Sequence, residues 1–150
     1  MIVPRARDVR RHFARRPGAP DDLLLVRQYS GGAQLRVNPP WAVLHLEGEI
    51  DIATAPGFRQ AAGDLAATAE QDPGLLTDVL VDLRAVTFLD SAGMAVLARL
   101  VREAAARGWR LRLLGLRPAV RTALGITGLL ELLPEQATGE LPSEARRALV

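Results

Sequence analysis

Short apolar stretches divided by turn formers mark the first elements of the chain. Leu23-Leu24-Leu25-Val26 and Gln34-Leu35-Arg36-Val37 are candidate strands on either side of Ser30-Gly31-Gly32, and Asn38-Pro39-Pro40 breaks the chain again. Trp41-Ala42-Val43-Leu44-His45-Leu46 is a stronger strand, and the tight break before it predicts antiparallel pairing with 34–37. From Thr54 the spacing becomes helical. Phe58, Ala61, Ala62, Leu65 and Ala69 share a stripe, Thr54 is a candidate N-cap and Pro56 suits the first turn, so a helix is predicted over 55–69, stopping before Asp72-Pro73-Gly74. Val79-Leu80-Val81-Asp82-Leu83 is nearly unbroken in apolar residues, as a parallel strand covered on both faces requires. A second helix starts near Asp90-Ser91, with Met94, Leu97, Ala98, Val101 and Ala105 on one stripe, a Glu103–Arg107 i,i+4 pair, and Gly108 as its stop. Leu111-Arg112-Leu113-Leu114 completes a β-α-β unit, for which a right-handed crossover is expected. Pro118 opens a third helix to about Leu124, and Gly125 and Gly128 loosen the chain beyond it.

The order β-β-α-β-α-β-α, with the 23–30 segment before it, predicts a single α/β domain. Its core is a four- to five-stranded mixed sheet with helices packed on it, rather than a barrel. The boundaries expected are a basic flexible tail over 1–20, the domain over 21–142 and a C-terminal tail over 143–150.

Charge divides unevenly along this plan. Residues 1–16 hold six Arg against one Asp, a local +5, whereas 41–142 hold nine Arg against thirteen acids, a local −4. The overall +2 is therefore a basic tail in front of an acidic domain. The tail is suited to nucleic acid, acidic lipid or an acidic partner, or it is a solvated leader; no direct DNA binding is expected of the folded domain. All 19 cationic side chains of the Lys and Arg class are Arg. The absence of Lys excludes P-loop, kinase-lysine and Schiff-base chemistry, along with the lysine of a phospho-aspartate receiver. With no Cys there are no disulfides, thiolate metal sites or thiol nucleophiles. No apolar run approaches the ~20 residues of a membrane span and no secretory leader is visible, so a soluble, cytoplasmic chain is expected.

Two clusters could carry chemistry, both where a strand gives way to a helix. In the first, Glu47-Gly48-Glu49-Ile50-Asp51, an undisturbed strand would place His45, Glu47, Glu49 and Asp51 on one face, the geometry of a metal or acid/base site. Gly48 argues against an undisturbed strand. In the second, Thr87-Phe88-Leu89-Asp90-Ser91-Ala92-Gly93, either Asp90 or Ser91 can cap the helix, and Gly93 permits close approach of another chain. Alternatively, Ser91 presents a hydroxyl at a helix N-terminus whose N–H groups and macrodipole accommodate a phosphate. Spacing alone does not choose between these. A catalytic serine is disfavoured, because there is no Gly-x-Ser-x-Gly elbow and the available bases are His12, in the tail, and His45. Asp82 and Asp90 as phosphoryl acceptors are disfavoured by the missing lysine.

Three blocks in order carry a resemblance: Leu44 to Pro56, Val79-Leu80-Val81-Asp82-Leu83 through Gly93, and Arg117-Pro118-Ala119-Val120-Arg121 with Thr127-Gly128-Leu129. Together, over about residues 34–134, they resemble the STAS domain of sulfate transporters and anti-sigma factor antagonists. The lysine-free, alanine-rich composition is similar to that of actinobacterial members. The resemblance implies a non-enzymatic module with no catalytic residues, metal or cofactor of its own. Its partners would be an ATP-binding serine kinase that doubles as an anti-sigma factor and a phosphatase that reverses the modification. The phosphorylated serine falls on Ser91, and the partner surface on Asp51, Thr54, Asp90, Ser91, Ala92, Gly93 and Met94. Ala92 stands where a second hydroxyl residue is common, and Met94 where Leu or Ile is usual. The alternative reading is a STAS scaffold or ligand-binding subunit of a transport or lipid-handling complex, without phosphorylation.

Overall fold

The computed structural model describes residues 25–133 together with Ser143 and Arg146. The Arg-rich leader, Leu23-Leu24, and nearly all of the expected C-terminal tail lie outside the described residues. Five strands form one sheet in the order β1-β2-β3-β4-β5: β1 (Leu25–Tyr29), β2 (Ala33–Asn38), β3 (Trp41–Ile50), β4 (Asp78–Leu89) and β5 (Arg110–Leu114). The first three run antiparallel, and β3, β4 and β5 are mutually parallel. Among residues 25–133, three helices connect or follow them: α1 (Ala55–Gln71), α2 (Ser91–Arg107) and α3 (Pro118–Ile126), with a short 3-10 turn at Leu129–Leu132.

Alternation along the strands sorts the two faces of the sheet. Leu35, Val37, Ala42, Leu44, Leu46, Val79, Val81, Leu111 and Leu113 point into the main core, where they meet Phe58 and Leu65 of α1, Leu97 and Leu100 of α2, and Val120 and Leu124 of α3. The intervening residues Trp41, Val43 and Leu80 are buried on the opposite face. There Arg112 lies over the Trp41 ring, 5.4 Å from its centroid, and pairs with Asp78. β4 is thus covered on both faces over its first half, as its apolar run predicts.

Two element boundaries depart from the sequence pattern. β1 runs on to Tyr29, three residues past the expected end at Val26, because Tyr29 is its most deeply buried residue and pairs with Ala33 across the Ser30-Gly31-Gly32 turn. Polar Arg27 and Gln28 break the apolar pattern between Leu25 and Tyr29 and hide the strand. β4 continues six residues past Leu83. Its pairing with β3 slips twice, between His45 and Glu47 and between Gly48 and Glu49, and each slip places one extra residue on β4. Inward positions therefore change spacing from two (Val79, Val81, Leu83) to three (Val86, Leu89), which no period-two reading follows.

Candidate functional site: the junctions after β3 and β4

The parallel β3–β4 pair brings the two clusters side by side. The Asp90 backbone N–H donates to the carbonyl of Ile50 at 3.0 Å, which joins the start of α2 to the end of β3. Gly93, buried in the first turn of α2, makes the close approach possible. A Cβ there would lie 2.5 Å from Leu89 Cδ1 and 2.8 Å from Ile50 Cγ2. Its lack of a side chain admits the protein's own strand ends, so the surface it offers a second chain is indirect.

After β3 the chain folds into a turn locked by Asp51 and Thr54. Asp51 Oδ1 accepts from the N–H groups of Ala53 (2.9 Å) and Thr54 (3.1 Å), while the Asp51 N–H donates to Thr54 Oγ1 (2.8 Å). Thr54 Oγ1 in turn donates to the Glu49 carbonyl at 2.7 Å. Thr54 holds the N-cap position of α1, as predicted, but in helical φ/ψ and without a side-chain cap bond. Its hydroxyl is committed backwards to β3, and the Asp51 carbonyl accepts the Ala55 N–H instead. The Thr54 N–H, more than the other hydrogen bonds, holds the Asp51 carboxyl below its ordinary range, so the loop presents a fixed negative charge.

At the other junction Asp90 caps α2, its Oδ1 accepting from Ala92 N (2.8 Å) and Gly93 N (3.2 Å). The Met94 N–H donates to the Asp90 carbonyl. Those early helix donors are therefore occupied by Asp90, not open to an incoming anion. Ser91 is the first residue of α2 and is exposed, and its hydroxyl takes no part in the cap. Ala92 and Met94 are half-buried beside it.

An apolar groove of about 400 Å³ adjoins Ser91, formed by Met94, Ala95 and Ala98 of α2 and by Gly128, Leu129 and Leu132. The periodicity shows Met94 and Ala98 only as part of a helix stripe. The opposing wall lies some thirty residues further on, in a 3-10 turn with no periodic signal.

The acid/base reading of His45, Glu47, Glu49 and Asp51 finds no support in the geometry. Glu47 and Glu49 are exposed, Asp51 is consumed by its turn, and no group among the described residues could hold a metal ion. His45 Nδ1 instead lies 3.0 Å from Asp82 Oδ2, and Asp82 also accepts from the Arg84 backbone and guanidinium. The hollow beside this pair is lined by Gln28, Gly32, Gln34, His45, Leu46, Glu47, Asp82 and Ala85, which include no hydroxyl or thiol nucleophile. Burial alone would raise the Asp82 carboxyl, but the bonds from His45 and Arg84 outweigh it and hold it well below its ordinary range. A depressed folded-state pKa contributes stability that is complete above the unfolded value of 3.8 and is lost as pH falls below it. Asp82→Asn is expected to cost about 2 kcal/mol at neutral pH, and the gap from wild type to narrow by about pH 3. Urea titrations at both pH values check this; equal stability at neutral pH would exclude a stabilising role for the charge.

The STAS domain family profile matches residues 33–140. Comparison with curated proteins returned no match. Among solved structures, an anti-sigma factor antagonist from Mycobacterium paratuberculosis is 28% identical, with a TM-score of 0.57 over 87% of this chain and 96% of that one. The Bacillus cell fate determinant SpoIIAA in its phosphorylated form is 22% identical, with a TM-score of 0.56 over 77% of this chain and 96% of that one. The STAS domain of a SulP transporter from Vibrio cholerae is also 22% identical, with a TM-score of 0.53 over 75% of this chain and 82% of that one. The profile, the five-stranded mixed sheet and the three helices agree, and the chain belongs to the STAS domain family.

Proposed function

We propose that the protein is an anti-sigma factor antagonist that binds a serine kinase acting as an anti-sigma factor and is released from it by phosphorylation of Ser91. The observation that carries this reading is the exposed Ser91 hydroxyl at the first position of α2, one residue after a carboxylate that caps the helix. A kinase needs an accessible hydroxyl on a rigid support, and the cap supplies the rigidity. The 28% identity to the mycobacterial antagonist over nearly all of both chains favours this assignment. The phosphorylated and unphosphorylated forms of SpoIIAA match the fold equally, each with a TM-score of 0.56. A switch that leaves the fold in place is consistent with that equality.

On this reading the protein is a regulator and not an enzyme. It needs no cofactor of its own, and the kinase supplies ATP. Partner recognition is assigned to Asp51 and Thr54, which shape the loop after β3, and to Asp90, Ser91, Ala92, Gly93 and Met94 at the start of α2. A phosphatase would restore the free hydroxyl. Since sigma factors act on RNA polymerase, this function places the protein in the cytoplasm; none of the described helices is long and apolar enough to cross a membrane.

Incubation with ATP and each anti-sigma factor kinase of the source organism is expected to add a single phosphate, read by intact mass and mapped to Ser91. Ser91→Ala should take up none. Failure to label wild type, or equal labelling of Ser91→Ala, overturns the proposal. Similarity to transporter STAS domains supports a second reading as a non-phosphorylated scaffold of a transport complex. Co-purification with transporter subunits and an unmodified Ser91 would favour it.

A further inference from the structure

We propose that the chain's own C-terminal segment, after Leu133, docks across the face of the sheet opposite the three helices and seals Trp41, Val43 and Leu80 from water. The inference does not depend on the function proposed above.

Successive residues of a strand point to opposite faces. Trp41, Val43, Leu80 and Leu114 therefore stand on the side away from α1, α2 and α3, whose buried apolar residues all belong to the main core. On an uncovered sheet face, side chains rise roughly perpendicular to the sheet and keep their tips in water. Leu80 is nonetheless 0% exposed and Val43 1%. Arg112 leans over the Trp41 ring, and among the described residues Leu114 is the one further apolar side chain packed against the cluster. The burial holds within a single chain, so it needs no second copy. The layer that completes it belongs to residues 1–24 or to residues 134–150.

Three observations favour the second. Val26 faces the same side from β1, where the leader enters the sheet, and it keeps 40% of its surface exposed. A leader crossing from that edge toward β4 would pass over Val26 before reaching Leu80. Ser143 and Arg146, one helical turn apart, are both helical and both exposed, which marks the solvent side of that turn. Helical spacing puts Ala145 and Ala148 on its opposite side, with Leu141 and Leu149 at the two ends. Charge agrees with this choice. Arg36, Arg110 and Arg112 border the cluster on the flanking strands, against Asp78. Residues 134–150 hold three Glu against two Arg, whereas 1–24 hold six Arg against three Asp. The acidic segment is attracted to this border and the leader is repelled by it.

The span is sufficient. Leu133 is packed against the main core, and nine residues lie between it and Ser143. Nine extended residues reach about 30 Å, enough to round the β5 edge of a sheet layer about 10 Å deep. Docked there, the segment closes the second face of the sheet to other molecules. Lifting it would bare an indole beside two aliphatic side chains, a patch prone to self-association.

The test uses the full chain. It has two tryptophans, so Trp109→Phe leaves Trp41 as the reporter. In that background Ala145→Asp and Ala148→Asp together should raise acrylamide quenching of Trp41 roughly threefold, because a carboxylate is costly to bury against an apolar face. Emission should move to longer wavelength, and sedimentation should show self-association. Circular dichroism should stay unchanged, since the main core lies on the other side. Val9→Asp and Phe13→Asp in the leader should leave quenching as it was. A second measurement avoids any change to the apolar side of the segment. The chain has no Cys, so a nitroxide on Arg146→Cys is the single label, and it should broaden the Trp41 indole N–H resonance. The same label on Arg5→Cys should leave that resonance sharp. Quenching that rises with the leader variants instead would show that the occupant assigned here is wrong. A Trp41 that is freely quenched in the Trp109→Phe chain, or untouched by the Arg146→Cys label, overturns the proposal.

Discussion

Phosphorylation of Ser91 is expected to weaken binding to the kinase by at least ~100-fold, equivalent to about 2.7 kcal/mol, while leaving the melting temperature within about 2 °C of the unmodified protein. The size of the loss follows from the groups that surround the hydroxyl. Asp90 already carries one negative charge at the helix start, and its Oδ1 takes the Ala92 and Gly93 N–H groups. A phosphate on Ser91 finds those donors engaged and projects outward, toward any surface laid over α2. Two negative groups then face a partner fitted to a neutral hydroxyl, and unfavourable charge placement across an interface costs several kcal/mol. Stability responds weakly because the helix macrodipole favours an anion at this end by about 0.3–1 kcal/mol, which offsets repulsion from Asp90. Calorimetric titration of unmodified, phosphorylated and Ser91→Ala protein would measure the effect, with Ser91→Ala expected within about threefold of wild type, since losing an exposed hydroxyl costs little. If the loss is a matter of charge, raising the salt concentration should narrow it. Phosphorylated protein that binds as tightly as unmodified protein would defeat the switch. Phosphorylated protein that melts far below the unmodified form would mean that the fold, rather than the contact, responds.

The legibility of this chain in its sequence depended on whether each element kept one period. β3, the first half of β4, β5 and the three helices did so, and their extents agree with the alternation and the helical stripes to within a few residues. The second half of β4 did not. Its two register slips turn period two into period three, and Arg84, Ala85, Thr87 and Phe88 are exposed between Val86 and its buried neighbours. The capping carboxylate of Asp90 and the adjacent Ser91 stand out in the sequence because Asp-Ser before an apolar stripe has a local meaning. Thr54 has the same local signature, yet its hydroxyl goes to Glu49: of the positions that a cap would serve, Pro56 has no N–H, and the Gly57 N–H already donates to the Thr54 carbonyl. His45 and Asp82 face each other only because β3 and β4 pair in parallel, a contact between residues 37 apart that periodicity does not reveal. The groove was illegible for the same reason: it joins alanines that read as ordinary stripe residues to a 3-10 turn beyond Gly128.

Two glycines six residues apart in α1 should respond in opposite directions to the same added methyl group. Gly57 lies in the first turn, against the β1–β2 hairpin, and a Cβ there would fall on the backbone carbonyl oxygen of Ser30. A backbone atom cannot swing aside as a side chain can. The hairpin must shift or α1 must lift, and both are held nearby: Tyr29 donates its hydroxyl proton to Asp64 of α1 at 2.6 Å. Burial, and then the Asp64 carboxylate, push the Tyr29 phenol well above its ordinary range, so this tie remains a neutral donor to a carboxylate. Gly57→Ala is expected to cost about 3 kcal/mol, the upper end for overpacking of a filled interior, and to lower the melting temperature by about 12 °C. Gly63, in the middle of the same helix, has open space where a Cβ would stand, with no atom within 4 Å. Gly63→Ala should therefore recover helix propensity alone, a gain of about 1 kcal/mol, and raise the melting temperature by about 4 °C. Thermal melts of the two variants test the steric argument with the chemistry of the substitution held constant. Equal shifts in both would show that the close approach of α1 to the hairpin does not constrain the fold. The outcome bears on the recognition loop as well, because a Cβ on Gly31 of the same hairpin would stand 2.7 Å from the Thr54 carbonyl oxygen. A hairpin displaced by Gly57→Ala would press on the turn that holds Asp51, and kinase binding should weaken in that variant while Gly63→Ala binds as wild type.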